Sequence, residues 1–205
     1  HGALCHSQSI DGYFMHLPGI YIAYPSCASD AKGLLKMACR MNDPVLFMEH
    51  KGLYRQGYAA TEEPDSDYIL PFGKGKYVAK GDELTVITWG AMVQKTVEAT
   101  QLLNLPNNIV EIIDLRTLNP IDMDIIESSV KKTSKVLVVH EDNMTNGPGA
   151  EISALIVDKY FQLLDAPVRR VAAKDSPVPF NWILEEKVLP QSQEIADVIE
   201  EILEY

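Results

Sequence analysis

The chain has 205 residues, 46% of them hydrophobic and 23% charged, an ordinary globular composition with room for one domain or one and a part. No apolar run approaches the ~18 residues of a membrane-spanning helix, so the reading has no membrane in it. Basic and acidic side chains number 18 and 29 for a net charge of −11, and residues 61–205 hold 13 of the first and 25 of the second. That acidic stretch disfavours nucleic acid as a partner and permits a basic protein.

Residues 1–9, HGALCHSQS, have neither the basic region nor the apolar stretch of a signal peptide and read as the middle of something longer. Cys5, Cys27 and Cys39 are odd in number with no CxxC spacing, which argues against a zinc site or a disulfide framework and fits a reducing cytoplasm. Residues 19–24 alternate β-formers and end at Pro25, as a strand does. Ser29 and Asp30 offer a cap for a helix over 31–40, and 45–48 is a near-continuous apolar strand. Together these make one parallel βαβ unit.

Residues 56–75 are polar and turn-rich, with Pro71, Gly73 and Gly75 breaking regular structure. Residues 76–79, the turn Lys80-Gly81-Asp82 and 84–89 then read as a hairpin. Beyond it the alternation resumes, with helices over 91–104, 122–132, 149–164 and 192–203. Strands fall at 109–113, 136–139 and 168–172. The pattern predicts an α/β fold, a doubly wound and mostly parallel sheet with helices on both faces. The division expected is 1–60, a linker at 61–75, and 76–205.

Ligands of such sheets gather at the carboxyl ends of the strands, and four segments there are unusually polar. His140-Glu-Asp-Asn143 follows the strand 136–139 and leads through Thr145–Gly149 to a helix start, which could cradle an anion or be a plain glycine turn. Asp114 and Arg116 could pair or cap the next helix, and Asp175–Phe180 is a Pro-bounded loop suited to another subunit. His6, on the polar stretch His6–Ser9, could act as a general acid or base. No nucleotide-phosphate fingerprint and no GxSxG elbow is present, and His1, His16 and His50 have nothing around them that raises them above background.

Taken together, several segments resemble the β subunit of thiamine-diphosphate-dependent 2-oxo acid dehydrogenases, the decarboxylating component of the pyruvate and branched-chain complexes. They are LCHSQS (4–9), YFMHLPG (13–19), SDAKGLLK (29–36), DPVLFMEHKGLYR (43–55), TVITWGAMV (85–93), EIIDLRTLNPID (111–122), VLVVHE (136–141), NGPGAEI (146–152) and DAPVRRVAAKDSPVPF (165–180). They keep the family's order over nearly the whole chain.

The resemblance implies the last part of a pyrimidine-binding domain over residues 1–60 and a transketolase-type C-terminal domain over 76–205. It implies that thiamine diphosphate and magnesium are bound mostly outside these residues. The family's activating glutamate would lie upstream, and its GDG-and-Asn diphosphate motif belongs to the α subunit or α half. It places the family's acyl-transfer histidine on His6, with Cys5 departing from the usual aromatic before it. It also carries over a potassium site on the backbone carbonyls of Ala38, Met41 and Asp43, where a plain helix-to-strand turn is the alternative.

The partners implied are the α subunit or half, a second copy through the C-terminal domain, and the lipoyl and basic subunit-binding domains of the acyltransferase core. Glu200, Glu201 and Glu204 could meet that basic domain or form a plain solvated helix face. The 53–55 stretch leans toward a branched-chain substrate. A pyruvate or acetoin dehydrogenase β subunit, another transketolase-like synthase and a non-catalytic dimerisation and docking piece remain open. The piece alone is expected to be inactive. Residues 1–18 are expected to lack fixed structure without their packing partners.

Overall fold

A computed structural model describes residues 2–205; His1 lies outside the described residues. Two short helices, α1 (Ala3–His6) and α2 (Asp11–Met15), open the chain, followed by β1 (Tyr21–Ala23), α3 (Ala28–Ala38) and β2 (Val45–Phe47). Next come β3 (Lys76–Ala79), β4 (Leu84–Thr88), α4 (Met92–Leu102), β5 (Val110–Asp114), β6 (Thr117–Asn119) and α5 (Met123–Thr133). The last elements are β7 (Val136–Asn143), α6 (Pro148–Tyr160), β8 (Arg169–Ala173), α7 (Trp182–Val188) and α8 (Ser192–Leu203).

Five strands form the main sheet in the order β3-β5-β4-β7-β8. The last four run parallel, and β3 is antiparallel to β5. Every residue of β4 and β5 is buried, as a parallel strand with helices over both faces requires. On one face Ile87, Ile113, Val136 and Val138 pack with Ile126 and Val130 of α5 and Ile152 and Ile156 of α6. On the other, Val86, Ile112, Leu137 and Val139 meet α8 through Ile195, Ala196, Ile199 and Ile202. That spacing puts all four on one helical stripe, and all are fully buried.

The small sheet has the order β2-β1-β6. β1 and β2 are the parallel pair expected of the βαβ unit. β6, from the far side of the linker, closes the sheet antiparallel to β1. Ile22 and Tyr24 enter the first core cluster beside Leu118, so the two parts of the chain share a sheet and a core.

Residues 76–89 are not a hairpin. β3 pairs with β5, Lys76 opposite Asp114 and Tyr77 opposite Ile113, while β4 lies on the other side of β5. Burial gives the reason. β3 is at most half-buried and suits an edge, whereas β4 has no exposed residue and needs a neighbour on each side. The turn crosses the end of β5, and the Asp82 amide donates to the Asn108 carbonyl at 2.8 Å.

Two further expectations change. α3 starts at Ala28 with Cys27 at its cap position, and no side chain caps it. Asp30, expected as a cap, is spent on buried ion pairs instead. Residues 2–18 do hold fixed structure, with α1 and α2 in place and Asp11 fully buried. Hydrogen bonds from Gln8, Ser9 and Gly12 to the end of β7 hold them.

Candidate active site

β7 runs four residues beyond the strand expected from sequence, so His140–Asn143 form its end rather than the loop after it. The pairing of β7 with β8 slips there. Val139 faces Val171 and Asn143 faces Ala173, four residues of one strand against two of the other. Such a bulge re-aims side chains that would otherwise alternate between faces.

Here it turns three consecutive side chains toward one segment near the chain's start. Glu141 accepts from the Ser9 hydroxyl at 3.1 Å. Asp142 accepts from the Gly12 amide at 2.8 Å, and its other oxygen from the Asn143 amide at 2.8 Å. Asn143 accepts from the Gln8 side-chain amide at 2.8 Å, while the Gln8 oxygen accepts from the Val178 amide at 3.1 Å. Between these walls lies a cleft of about 930 Å³, lined on one side by Gln8, Ser9 and Gly12 and on the other by Asp142, Asn143 and Gly147.

Behind the cleft the charge is mostly of one sign. Burial pushes the Asp11 carboxyl up to about 7; the Trp89 indole N–H at 2.9 Å pulls it down, and the charges of Asp142 and Glu141 push it further up. The second oxygen of Asp11 is buried without a hydrogen-bond partner. Asp142 is likewise raised by burial, against the pull of its two amide donors. Burial and the Asp11 charge hold the Tyr24 hydroxyl well above its ordinary range.

His50 answers this charge. Its Nε2 lies 3.0 Å from both oxygens of Glu141, and its Nδ1 accepts from the Gly52 amide at 3.1 Å. The proton of a neutral ring therefore sits on Nε2, facing the carboxylate. Burial works against a charge on this ring, but the bond to Glu141 outweighs it and raises the pKa. Sequence reading set His50 aside. The signal was present, since His50 follows the carboxyl end of β2, where the strand-end rule looks for function.

His140 has the opposite character. It is fully buried, neither ring nitrogen has a hydrogen-bond partner, and its ring stacks on Trp89 at 5.6 Å and 4°. Burial, helped by the charge of Arg170, pushes its pKa down to about 4. A Cβ at Gly149 would come within 2.5 Å of His140 Nε2, so the glycines of the following turn make room for the ring. His140 is a neutral packing residue.

The remaining candidates are dispersed. His6 is exposed at the end of α1, two residues before Gln8, and is not among the residues lining the cleft. Ala38 ends α3, and its carbonyl accepts the Met41 amide at 3.1 Å; Asp43 is exposed in the loop beyond. Asp114 and Arg116 do not pair through their side chains. The Arg116 amide donates to Asp114 at 2.9 Å, the guanidinium faces Asp30 at 2.8 Å, and the cap of α5 is Asp122. In the Pro-bounded loop, Asp175 accepts from both the amide and the hydroxyl of Thr145. Glu201 pairs with Arg169, while Glu200 and Glu204 are exposed.

A model of the transketolase C-terminal domain matches residues 73–195, and one of the transketolase pyrimidine binding domain matches residues 1–56. The chain is 40% identical over 207 residues to 2-oxoisovalerate dehydrogenase subunit beta 2, mitochondrial, of Arabidopsis thaliana, covering 100% of this chain and 56% of that protein. It is 39% identical to 2-oxoisovalerate dehydrogenase subunit beta of Bacillus subtilis, covering 100% and 62%. It is 41% identical to pyruvate dehydrogenase E1 component subunit beta of Porphyra purpurea, covering 97% and 59%. The chain thus spans under two thirds of the length of these curated relatives. A solved structure described as a split gene transketolase, inactive beta4 tetramer, superposes with a TM-score of 0.75 over 95% of this chain and 60% of its own, at 22% identity. That likeness speaks for the fold.

Proposed function

The chain belongs to the transketolase C-terminal domain family, and on that premise we propose that it serves in the decarboxylating component of a 2-oxo acid dehydrogenase complex, with branched-chain 2-oxo acids as substrates. The observation that carries the reading is identity of about 40% to dehydrogenase β subunits across essentially the whole chain. Pyruvate-type relatives are as similar as branched-chain ones, so the lean toward branched-chain substrates rests on the Leu53-Tyr54-Arg55 stretch.

In this reading bound thiamine diphosphate supplies the carbon centre that accepts the electron pair released with carbon dioxide. The resemblance puts its magnesium and diphosphate mostly outside these residues. Among the described residues no group of three or more His, Cys, Asp or Glu is placed to hold a metal ion, and the α-type partner is assigned that part. The Ala38 carbonyl accepts the Met41 amide at 3.1 Å and keeps a lone pair for potassium, which would brace this turn and enter no chemical step.

What this chain contributes is the proton of His6. When the acyl group passes to the lipoyl dithiolane, a carbon–sulfur bond forms and the S–S bond breaks. The ring takes up the electron pair that decarboxylation leaves on the acyl carbon, the bond from that carbon to its carrier breaks as its hydroxyl gives up a proton, and the departing sulfur takes a proton. An exposed imidazole can give that proton near neutral pH.

A second copy through the C-terminal domain, and a basic domain of the acyltransferase core near Glu200 and Glu204, complete the assembly. A reducing compartment such as the cytoplasm suits its three unpaired cysteines, and among the described residues no helix is long and apolar enough to cross a membrane.

The test uses the enzyme assembled with its α-type partner, thiamine diphosphate and magnesium. 3-Methyl-2-oxobutanoate and pyruvate are compared in decarboxylation with an artificial electron acceptor and in acylation of a lipoyl domain. His6→Ala is expected to hold decarboxylation within about twofold and to lower acylation by roughly 10²- to 10⁴-fold, the range of a lost acid–base group. If neither substrate turns over while the cofactor binds, the dehydrogenase reading fails and an assembly piece or another synthase takes its place.

A further inference from the structure

We infer that Glu141, Asp142 and Asn143 are positioning residues, a three-point clamp that sets the Gln8–Gly12 segment and, through it, His6. The inference rests on the functional reading above, since it concerns the histidine assigned there.

Geometry supports it in three ways. The contacts are distinct, with Ser9, Gly12 and Gln8 each taken by a different residue of one strand end. Two of the three grips use carboxylate acceptors, which hold amide and hydroxyl donors more firmly than neutral groups do. The grip also requires the bulge. On a regular strand, residues 141 and 143 would face one side of the sheet and 142 the other, whereas the slip between Val139 and Asn143 allows all three to meet one segment. A bulge beside a site that re-aims side chains is a built feature.

The clamp is braced from behind. Glu141 is held by His50, which is itself fixed by the Gly52 amide. Gln8 is pinned a second time by Val178 from the Pro-bounded loop. Asp11, in the middle of the clamped segment, is buried and bound to Trp89. His6 stands just outside this grip, exposed, on a four-residue helix with no buried side chain. A histidine with so little packing of its own takes its position from the segment that follows it. Small displacements of a catalytic group are costly to rate, so residues about 130 positions away in the chain govern the reactivity of His6 without touching the reacting atoms.

The test compares Asp142→Ala and Asn143→Ala in the assembled enzyme, alone and combined with His6→Ala. Each single variant is expected to lower lipoyl acylation at least about tenfold while decarboxylation changes less than about twofold. Amide exchange at Gly12 is expected to accelerate in Asp142→Ala while the amides of β4 keep their protection. On the His6→Ala background the clamp variants are expected to add less than about twofold, since residues acting through one group are not additive.

Equal loss of both half-reactions, or losses that multiply with His6→Ala, would reduce these residues to a fold-stabilising role and overturn the inference. If His6→Ala cripples acylation and the clamp variants do not, the inference alone fails. If His6→Ala leaves acylation intact, the role assigned to His6 fails, whatever the clamp variants do.

Discussion

Two polar clusters are buried where the first 56 residues meet the rest of the chain, and they are built on opposite electrostatic plans. In one, Asp30 of α3 lies against Lys76 and Arg116, and Asp114 faces Lys76 at 3.7 Å while accepting from the Ser26 hydroxyl. Two acids meet two bases. Burial alone would raise the Asp30 carboxyl, but Lys76 and then Arg116 prevail and hold it below its ordinary value. In the other, Asp11, Glu141 and Asp142 share one corner with His50 as the near cation, and the carboxyls of Asp11 and Asp142 are pushed up. The compensated cluster joins the two parts of the chain; its bases hold Asp30 below its ordinary value, while burial outweighs Lys76 and the Ser26 hydroxyl at Asp114 and raises that carboxyl. The other holds three acids against one histidine, ties the start of the chain to the end of β7, and borders the cleft. Perturbed carboxyls beside a cleft are the pattern expected where function opposes stability.

The comparison breaks most readily at Asp30. Asp30→Ala leaves the Lys76 ammonium and the Arg116 guanidinium facing a buried gap, with Asp114 and the Cys27 sulfur near the first. Removing one partner of a buried ion pair costs about 3–5 kcal/mol. Because Lys76 and Arg116 stay partly open to water, at 27% and 14% side-chain exposure, the lower end is expected, about 3 kcal/mol. Urea unfolding of the assembled protein measures it. A loss under about 1 kcal/mol would make this cluster an ordinary surface network and remove the contrast.

A smaller effect is expected at Trp89. Trp89→Phe keeps most of the buried ring but removes the indole donor that Asp11 receives at 2.9 Å. Both oxygens of that carboxyl would then be unpartnered. An orphaned buried polar group costs about 1–3 kcal/mol, and the Asp11 pKa should rise further, since the lost bond was lowering it. Differential scanning calorimetry together with carboxyl titration by NMR separates the two effects. An unchanged Asp11 titration would mean that burial alone sets it.

How much of this was legible in the sequence follows from which forces are local. The β-former-rich runs at 84–88 and 110–113 point to buried strands, and the Ile195, Ala196, Ile199 and Ile202 stripe points to α8 packing on their face, because periodicity is set by neighbours along the chain. The hairpin at 76–89 misled because a turn signal says where the chain bends and not which strand it then meets. The strand ends were where chemistry was expected, and burial there separates residues that spacing leaves alike. His140, first of the polar four, is a buried neutral ring, whereas His50 pairs with Glu141 across 91 residues. Burial and long-range pairing decide which polar residue is structural, and neither leaves a mark in spacing. The bulge after Val139 is equally silent, since an extra residue in a strand has no required residue type.

The finest test asks whether the uncompensated cluster really holds a proton near neutrality. An unfolded chain releases the Asp11 proton near its ordinary value of 3.8, while the folded protein keeps it to about 7. Between those values the folded state binds more protons than the unfolded one, so this group makes stability fall as pH rises from about 4 to about 7. Asp142 and Asp114, also raised by burial, act in the same direction. His50, raised by Glu141, contributes stability that is complete below its ordinary 6.5 and lost as pH climbs through its higher folded value. Asp30 opposes them only in acid, its contribution fading as pH drops through its lowered pKa. Asp11→Asn keeps the shape and an acceptor for Trp89 and removes one titration alone. At pH 5, where the native carboxyl is already neutral, the substitution should change the melting temperature least of the three variants. Its stability relative to the parent should then improve steadily to pH 7 and level off above it. Parallel profiles for parent and variant across that window would place the proton elsewhere, on Asp142 or on the His50–Glu141 pair, and Asp142→Asn would then show the changed slope in its stead.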